Sequence, residues 1–316
     1  MATATPTGAG AVPRVGRAVP GNVGRARRRR QGLVAWLFAL PFVLGFGIFM
    51  LFPIVSSFVM SFTDFTSSDV QDPLAVGFVG VRQYADLFGN PQFLKSMWVT
   101  AYFVIVGIPL TMIVALALAI ALNSGITRFR TVFRVGFYTP VVTSIVAVAV
   151  VWRFILQDNG LLNAMLGWVG IDGPNWLNDT TWSMPAMILV AVWRNMGTLM
   201  IIFLAGLQNI PEEVKEAAQI DGANAWTTFR RITLPLLRPT LLLGAVLLSV
   251  GYLQFFEEPF VMTKGGPLDS TLSISYFTYN QFGFGKYGTA SAASYILFVA
   301  IALLSLVQFR ALRSKD

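Results

Sequence analysis

The chain of 316 residues contains no Cys and no His, and only 12% of its residues are charged. Without Cys there are no disulfides, no thiolate nucleophile and no Cys-ligated zinc or iron–sulfur centre. Without His the commonest acid/base near neutral pH and the commonest metal ligand are gone. Soluble domains carry about 25% charged residues, so roughly half of the usual solvating surface is missing. A soluble globular domain is thereby excluded, and an ordinary hydrolase or redox enzyme is disfavoured.

What fills the chain instead is apolar. Hydrophobic residues make up 55% of it, with 26 Phe and 8 Trp, and they fall in long runs. A helix crossing the ~30 Å hydrocarbon core needs roughly 20 mostly apolar residues. Six runs qualify: 33–62, 93–122, 135–151, 184–207, 236–256 and 290–307. Pro41 and Pro53 lie in the first and are expected to kink it without ending it. That run is too long for a signal-peptide core and is read as retained. The short alternating segments of a membrane barrel are absent. The expected fold class is all-α, a bundle of six transmembrane helices.

Orientation follows from the cations. Of the 23 Lys and Arg, 17 fall in the N-terminal tail, the second-to-third and fourth-to-fifth connections and the C-terminal tail. By the positive-inside rule that side, with both termini, is cytoplasmic. The formal charge of +8 therefore reports topology. No basic groove interleaved with aromatics suggests nucleic-acid binding. Residues 1–32 are expected to form a disordered basic cytoplasmic tail, with Arg25 to Arg30 as an anionic-lipid anchor. Residues 33–313 form the membrane domain, and Trp98, Trp152 and Trp182 at span ends are read as interfacial anchors.

The longest cytoplasmic connection, 208–238, is not polar filler. Asn209-Ile210-Pro211-Glu212-Glu213 carries the signals of a helix start, with Pro early and acids in the first turn. Glu216-Ala217-Ala218 continues it, and Asp221-Gly222 can close it with a left-handed turn. A second segment, 223–232, places Trp226, Phe229 and Ile232 on an apolar stripe, and Leu234-Pro235 is expected to break the chain before the fifth span.

Glu216-Ala217-Ala218, Gly222, Ile232 and Leu234-Pro235 in this register resemble the EAA loop of ABC importer permeases. With Ala205-Gly206-Leu207 before the loop, Gly265-Gly266-Pro267 after the fifth span and Tyr287-Gly288 opening the sixth, the chain is similar to carbohydrate-uptake permeases of the maltose and glycerol-3-phosphate type. The resemblance implies the six-helix fold of type I ABC importer permeases in a prokaryotic plasma membrane. It also implies a coupling helix on the 208–238 loop, with Glu216, Ala217, Ala218, Asp221, Gly222, Ile232, Leu234 and Pro235 serving the contact with an ATPase. The implied partners are a second homologous permease, two ATPase subunits and an extracytoplasmic solute-binding protein that delivers a carbohydrate. The chain lacks a G-x-x-x-x-G-K-[ST] phosphate loop, so no cofactor is expected on it and ATP and Mg²⁺ belong to the partner subunits. No catalytic or metal site is expected.

An ionisable residue inside a span faces a cavity or a partner. Arg194, in the middle of the fourth run, forms a polar and aromatic patch with Trp193, Asn195 and Thr198. The fifth span adds Tyr252, Gln254, Glu257 and Glu258 near its outer end. Aromatic faces with amide and carboxylate groups suit sugar rings and hydroxyls, so these eight residues are the candidate solute path. Ordinary inter-helix packing competes for Tyr252 and Gln254, and an ion pair with Glu257 or Glu258 competes for Arg194. A self-contained secondary carrier or channel, and an ABC permease for a non-sugar solute, are the alternative readings of the whole chain.

Overall fold

The computed structural model describes residues 23–72, 76–124 and 130–312. Among them all regular structure is helical apart from one isolated antiparallel bridge between Thr63 and Phe78. The chain divides into two units at Ser56 and Ser57.

The first unit holds α1 (Val23–Phe46), a π turn over Gly47–Leu51 and the start of α2 (Phe52–Met60). Residues 34–60 are long and apolar enough to cross a membrane. Pro41 sits inside α1 and Pro53 directly behind the π turn, and neither proline ends the helix. The helix begins at Val23, so residues 23–32, expected in a structureless tail, are helical. Arg is a good helix former, and the Arg run meets no breaker. Residues 1–22 lie outside the described residues.

The second unit contains α3 (Arg82–Phe88), α4 (Pro91–Ser124), α5 (Arg130–Val142), α6 (Ile145–Ile155), α7 (Leu161–Trp168) and α8 (Ser183–Gln208). There follow α9 (Glu212–Ile220), α10 (Ala225–Thr228), α11 (Leu234–Leu236), α12 (Arg238–Leu253), α13 (Ile274–Gly283) and α14 (Tyr287–Leu312). With residues 34–60, α4, α8 and α14 are each long and apolar enough to span, and two bent helix pairs bring the number to six.

The two bent pairs correct the reading of the third and fifth runs. The third is two helices, α5 and α6, meeting at 100°. Pro140 deprives α5 of a backbone donor and Ser144 leaves helical space (φ −55°, ψ 126°). The Ser144 carbonyl then accepts the Val148 N–H at 2.9 Å and starts a new helix. In the fifth, Leu234-Pro235 does not break the chain. A π turn over Phe229–Thr233 runs into α11, and the 66° bend falls between Leu236 and Arg238. Leu237 serves both sides, its N–H donating to the Thr233 carbonyl (3.0 Å) and its carbonyl accepting from Leu241 (2.8 Å). Pro239 stands in the first turn of α12, where no N–H is needed.

The core lies along α4 and α8. It holds Phe103, Ala115 and Ala119 from the first and Met187, Ala191, Leu199, Met200 and Phe203 from the second. Small residues set the approach of neighbouring helices, as lipid-embedded packing requires. A Cβ on Gly197 of α8 would overlap the Phe137 carbonyl of α5, and one on Gly206 would lie 2.7 Å from the Thr240 hydroxyl of α12. Helix α14 joins α12 through Gln308 Nε2 donating to Ser249 Oγ at 2.5 Å, and α3 through Thr289 Oγ1 donating to Gln83 Oε1 at 2.9 Å.

Candidate functional site

Helix α9 forms where its local chemistry dictates. Pro211 occupies the capping position, Glu212 and Glu213 follow in the first turn, and their charges favour the positive end of the helix dipole. Lys215 pairs with Glu212 at 2.8 Å. The far end closes on Gly222, whose φ of 78° is the left-handed conformation that glycine adopts without penalty. The Ala223 N–H returns to the Ala218 carbonyl (2.9 Å) and the Gly222 N–H to Gln219 (3.0 Å), a Schellman-type close. Asn224 then caps α10 by accepting from the Thr227 N–H at 2.8 Å.

This geometry sorts the motif residues. Glu216, Ala217, Asp221 and Gly222 are exposed, Ala218 is buried beneath them, and Ile232, Leu234 and Pro235 are half-buried. The first four form an outward knob, while Ile232 lies in the π turn and Leu234 and Pro235 in α11, further along the chain. Two exposed apolar side chains beside that knob were not singled out from the sequence as contact residues, Ile220 at 86% and Trp226 at 67% exposure. Trp226 packs on Phe229 at 5.8 Å between ring centres, which holds it in place without covering it. Between the loop and the ends of α4 and α8 lies a cavity of about 600 Å³, with Ile120, Asn123, Leu207, Gln208, Lys215 and Phe229 in its walls.

The second constellation lies between α8 and α12. The Arg194 Nε is buried without a hydrogen-bond partner, and among the described residues no ion pair reaches it. It lies within electrostatic range of Glu258 and of the Tyr252 hydroxyl. The neighbouring Asn195 amide donates to the Ala191 carbonyl at 2.8 Å. Tyr252 is only 4% exposed. Its hydroxyl lies 2.7 Å from that of Thr111 and its ring centre 4.9 Å from that of Phe103, so in this conformation it links α12 to α4. Glu258 is buried, Glu257 half-buried and Gln254 exposed just past the end of α12. Arg194, Asn195, Tyr252 and Glu258 are thus brought together. No described contact joins Thr198 or Gln254 to them.

Trp193 turns elsewhere. Its ring meets that of Trp152 edge to face, 5.4 Å apart at 70°, beside a cavity of about 420 Å³ in the α5–α6 bend. Thr139, Thr143, Trp152 and Trp193 line part of that cavity. Trp152, read from sequence as an interfacial anchor, is half-buried against this partner. Nothing in the sequence pointed to the pairing, because the bend that creates it was not visible. Trp98 and Trp182 remain exposed, at 69% and 41%.

A family described as "Binding-protein-dependent transport system inner membrane component" matches residues 107–314. The chain is 34% identical to the lactose transport system permease protein LacF of Rhizobium radiobacter, over 91% of this chain and 97% of that one. It is 35% identical to the arabinooligosaccharides transport system permease protein AraP of Bacillus subtilis, over 87% of each. A chain of a bacterial ABC transporter involved in the import of the acidic polysaccharide alginate superposes with a TM-score of 0.75 at 26% identity, covering 93% of this chain and 99% of that one.

Proposed function

Because the chain belongs to the family of binding-protein-dependent transport system inner membrane components, we propose that it is the permease of a carbohydrate importer driven by separate ATPase subunits. The observation that carries the proposal is the α9 knob between the fourth and fifth spans. It is a short helix closed on Gly222, with exposed Glu216, Ala217 and Asp221 and the apolar Ile220 and Trp226 at its side. A small rigid projection of this kind fits a cleft on a partner, with apolar anchors flanked by carboxylates for charge-assisted bonds.

In this reading the α9 loop and both termini face the cytoplasm, as the distribution of Lys and Arg supports. A second, homologous permease completes the pathway, and an extracytoplasmic binding protein delivers the solute. ATP and Mg²⁺ sit on the ATPase subunits. Their closure on ATP displaces the α9 loop, and through α10, the π turn and the bend at Leu237 the displacement reaches α12. The solute passes by the Arg194–Glu258 patch and the Trp152–Trp193 cavity. The named cargoes of the relatives support a carbohydrate: lactose and arabinooligosaccharides for the two permeases, alginate for the solved importer.

The test is reconstitution. The permease with its partner subunits in proteoliposomes is expected to accumulate labelled sugar only with ATP and a loaded binding protein. Uptake driven by a proton or sodium gradient in vesicles lacking the ATPase subunits would assign the chain to the secondary carriers instead.

A further inference from the structure

Helix α7 lies in the connection between the third and fourth spans, on the side of the bundle opposite the α9 loop, and nothing above gives it a role. Residues 161–171 include no charged side chain. One face of α7 is fixed inward. The Asn163 amide donates to the carbonyls of Asp158 (3.0 Å) and Pro174 (3.2 Å), and its oxygen accepts the Trp176 indole N–H at 2.7 Å. Leu162 and Trp176 pack on the core. The opposite face carries Leu161, Met165 and Trp168, exposed to 58%, 50% and 82%. Their spacing of four and three residues makes one continuous stripe, which Val169 and Ile171 prolong past the helix end.

The level of this stripe is set by contacts. Trp176, held by Asn163, meets Trp182 edge to face at 5.3 Å, and Trp182 immediately precedes α8. Helix α7 is therefore tied to the point where a spanning helix starts, which is the boundary between hydrocarbon and headgroups. On its other side it follows α6, whose last turns expose Val150, Val151 and Phe154 beside Arg153. An uncharged stripe ending in Trp, with a neighbouring Arg, has the composition of a segment lying in the interfacial plane.

We propose that α7 is a membrane-surface anchor whose Leu161–Met165–Trp168 stripe contacts lipid acyl chains at the interface. The inference rests on the membrane-spanning reading and not on the identity of the cargo.

The absence of Cys gives a direct test. A nitroxide on Met165→Cys, and separately on Leu161→Cys, is placed in the assembled importer, with no reactive Cys on the other subunits, in nanodiscs of phosphatidylethanolamine and phosphatidylglycerol. Collision with oxygen is expected to exceed collision with a water-soluble nickel chelate several-fold at both positions, and to fall below it at Asn159→Cys in the preceding exposed loop. Dominant nickel collision at 161 and 165 would place the stripe in water and overturn the anchor. Low collision with both reagents would mean that a partner subunit covers it, and would overturn the proposal equally. ATP-driven uptake is measured on the same labelled samples. Loss of uptake with the oxygen pattern intact counts against the transport reading and leaves the anchor standing.

Discussion

The Tyr252 hydroxyl on α12 lies 2.7 Å from the Thr111 hydroxyl on α4, and Thr111 gives its own proton to the Gly107 carbonyl at 2.7 Å. Tyr252 is thus the donor of the pair. Gly107 serves twice, since a Cβ there would approach the Tyr252 ring to 2.9 Å. The two effects have different sizes. Removing one interhelical hydrogen bond within a membrane costs about 0.6 kcal/mol on average, whereas forcing extra methyl groups into a filled contact costs about 1–3 kcal/mol. Tyr252→Phe is therefore expected to shift the melting temperature in detergent slightly and Gly107→Val markedly. Equal shifts would mean that the hydroxyl carries as much as the ring contact.

The α9 knob allows backbone and side-chain effects to be separated. A Cβ on Gly222 meets nothing within 4 Å, so a substitution there is felt only through φ, at about 1–2 kcal/mol for an L-residue in the left-handed region. Gly222→Asn, which tolerates that region, should keep most ATP-driven uptake, and Gly222→Val should lose about tenfold if the whole penalty passes into coupling. Normal uptake by Gly222→Val would remove the turn from the coupling path.

Ile220 should behave differently. Its side chain is 86% exposed, so Ile220→Ser removes almost no packing from the isolated permease. Thermal stability of the purified subunit is expected to stay unchanged, while sugar-stimulated ATP hydrolysis by the assembled complex falls. If both remain at wild-type levels, Ile220 is not a contact of the ATPase.

These residues also show what the sequence could and could not disclose. Helix α9 was legible at both ends, because Pro211 and Gly222 act through their own backbone constraints. The long runs of α4, α8 and α14 were legible because the hydrocarbon core demands length and apolarity. The α5–α6 corner was not, since residue counting is blind to direction and Thr143-Ser144 is a weak punctuation mark. The sequence therefore places Trp152 at the interface, and its contact with Trp193 emerges only from the folded chain. Pro235 illustrates the converse. A proline read as a break is absorbed when a π turn ahead of it shifts the hydrogen-bond register, and the bend moves to Leu237.

Ser249 and Gln308 offer a test of polar contacts at a helix interface. Ser249, with no exposure, gives its proton to the Ala245 carbonyl at 2.7 Å and accepts from Gln308 Nε2 at 2.5 Å. The Gln308 Oε1 is already buried without a partner. Ser249→Ala would strip the amide of its described acceptor as well, leaving a desolvated group that costs about 1–3 kcal/mol. Adding Gln308→Leu removes the stranded amide altogether. The double variant is expected to be more stable than Ser249→Ala alone, read as detergent melting temperature. A double variant less stable than either single one would show that Gln308 holds α14 through contacts other than Ser249.

The α5–α8 contact carries the last test. A Cβ on Gly197 would overlap the Phe137 carbonyl, with the Tyr138 Cα next at 3.1 Å. Both obstacles are backbone, so no rotamer change can relieve the clash and α5 must move as a body. Gly197→Ala should therefore widen the α5–α8 contact and open the Trp152–Trp193 cavity, at a cost of about 1–3 kcal/mol. If that cavity lies on the solute path, ATP hydrolysis by the complex should persist while uptake falls, since the α9 knob is untouched. An equal fall in both would mean that the contact serves folding or coupling. Unchanged uptake with lowered stability would take the cavity off the path and leave the Arg194–Glu258 patch as the candidate route.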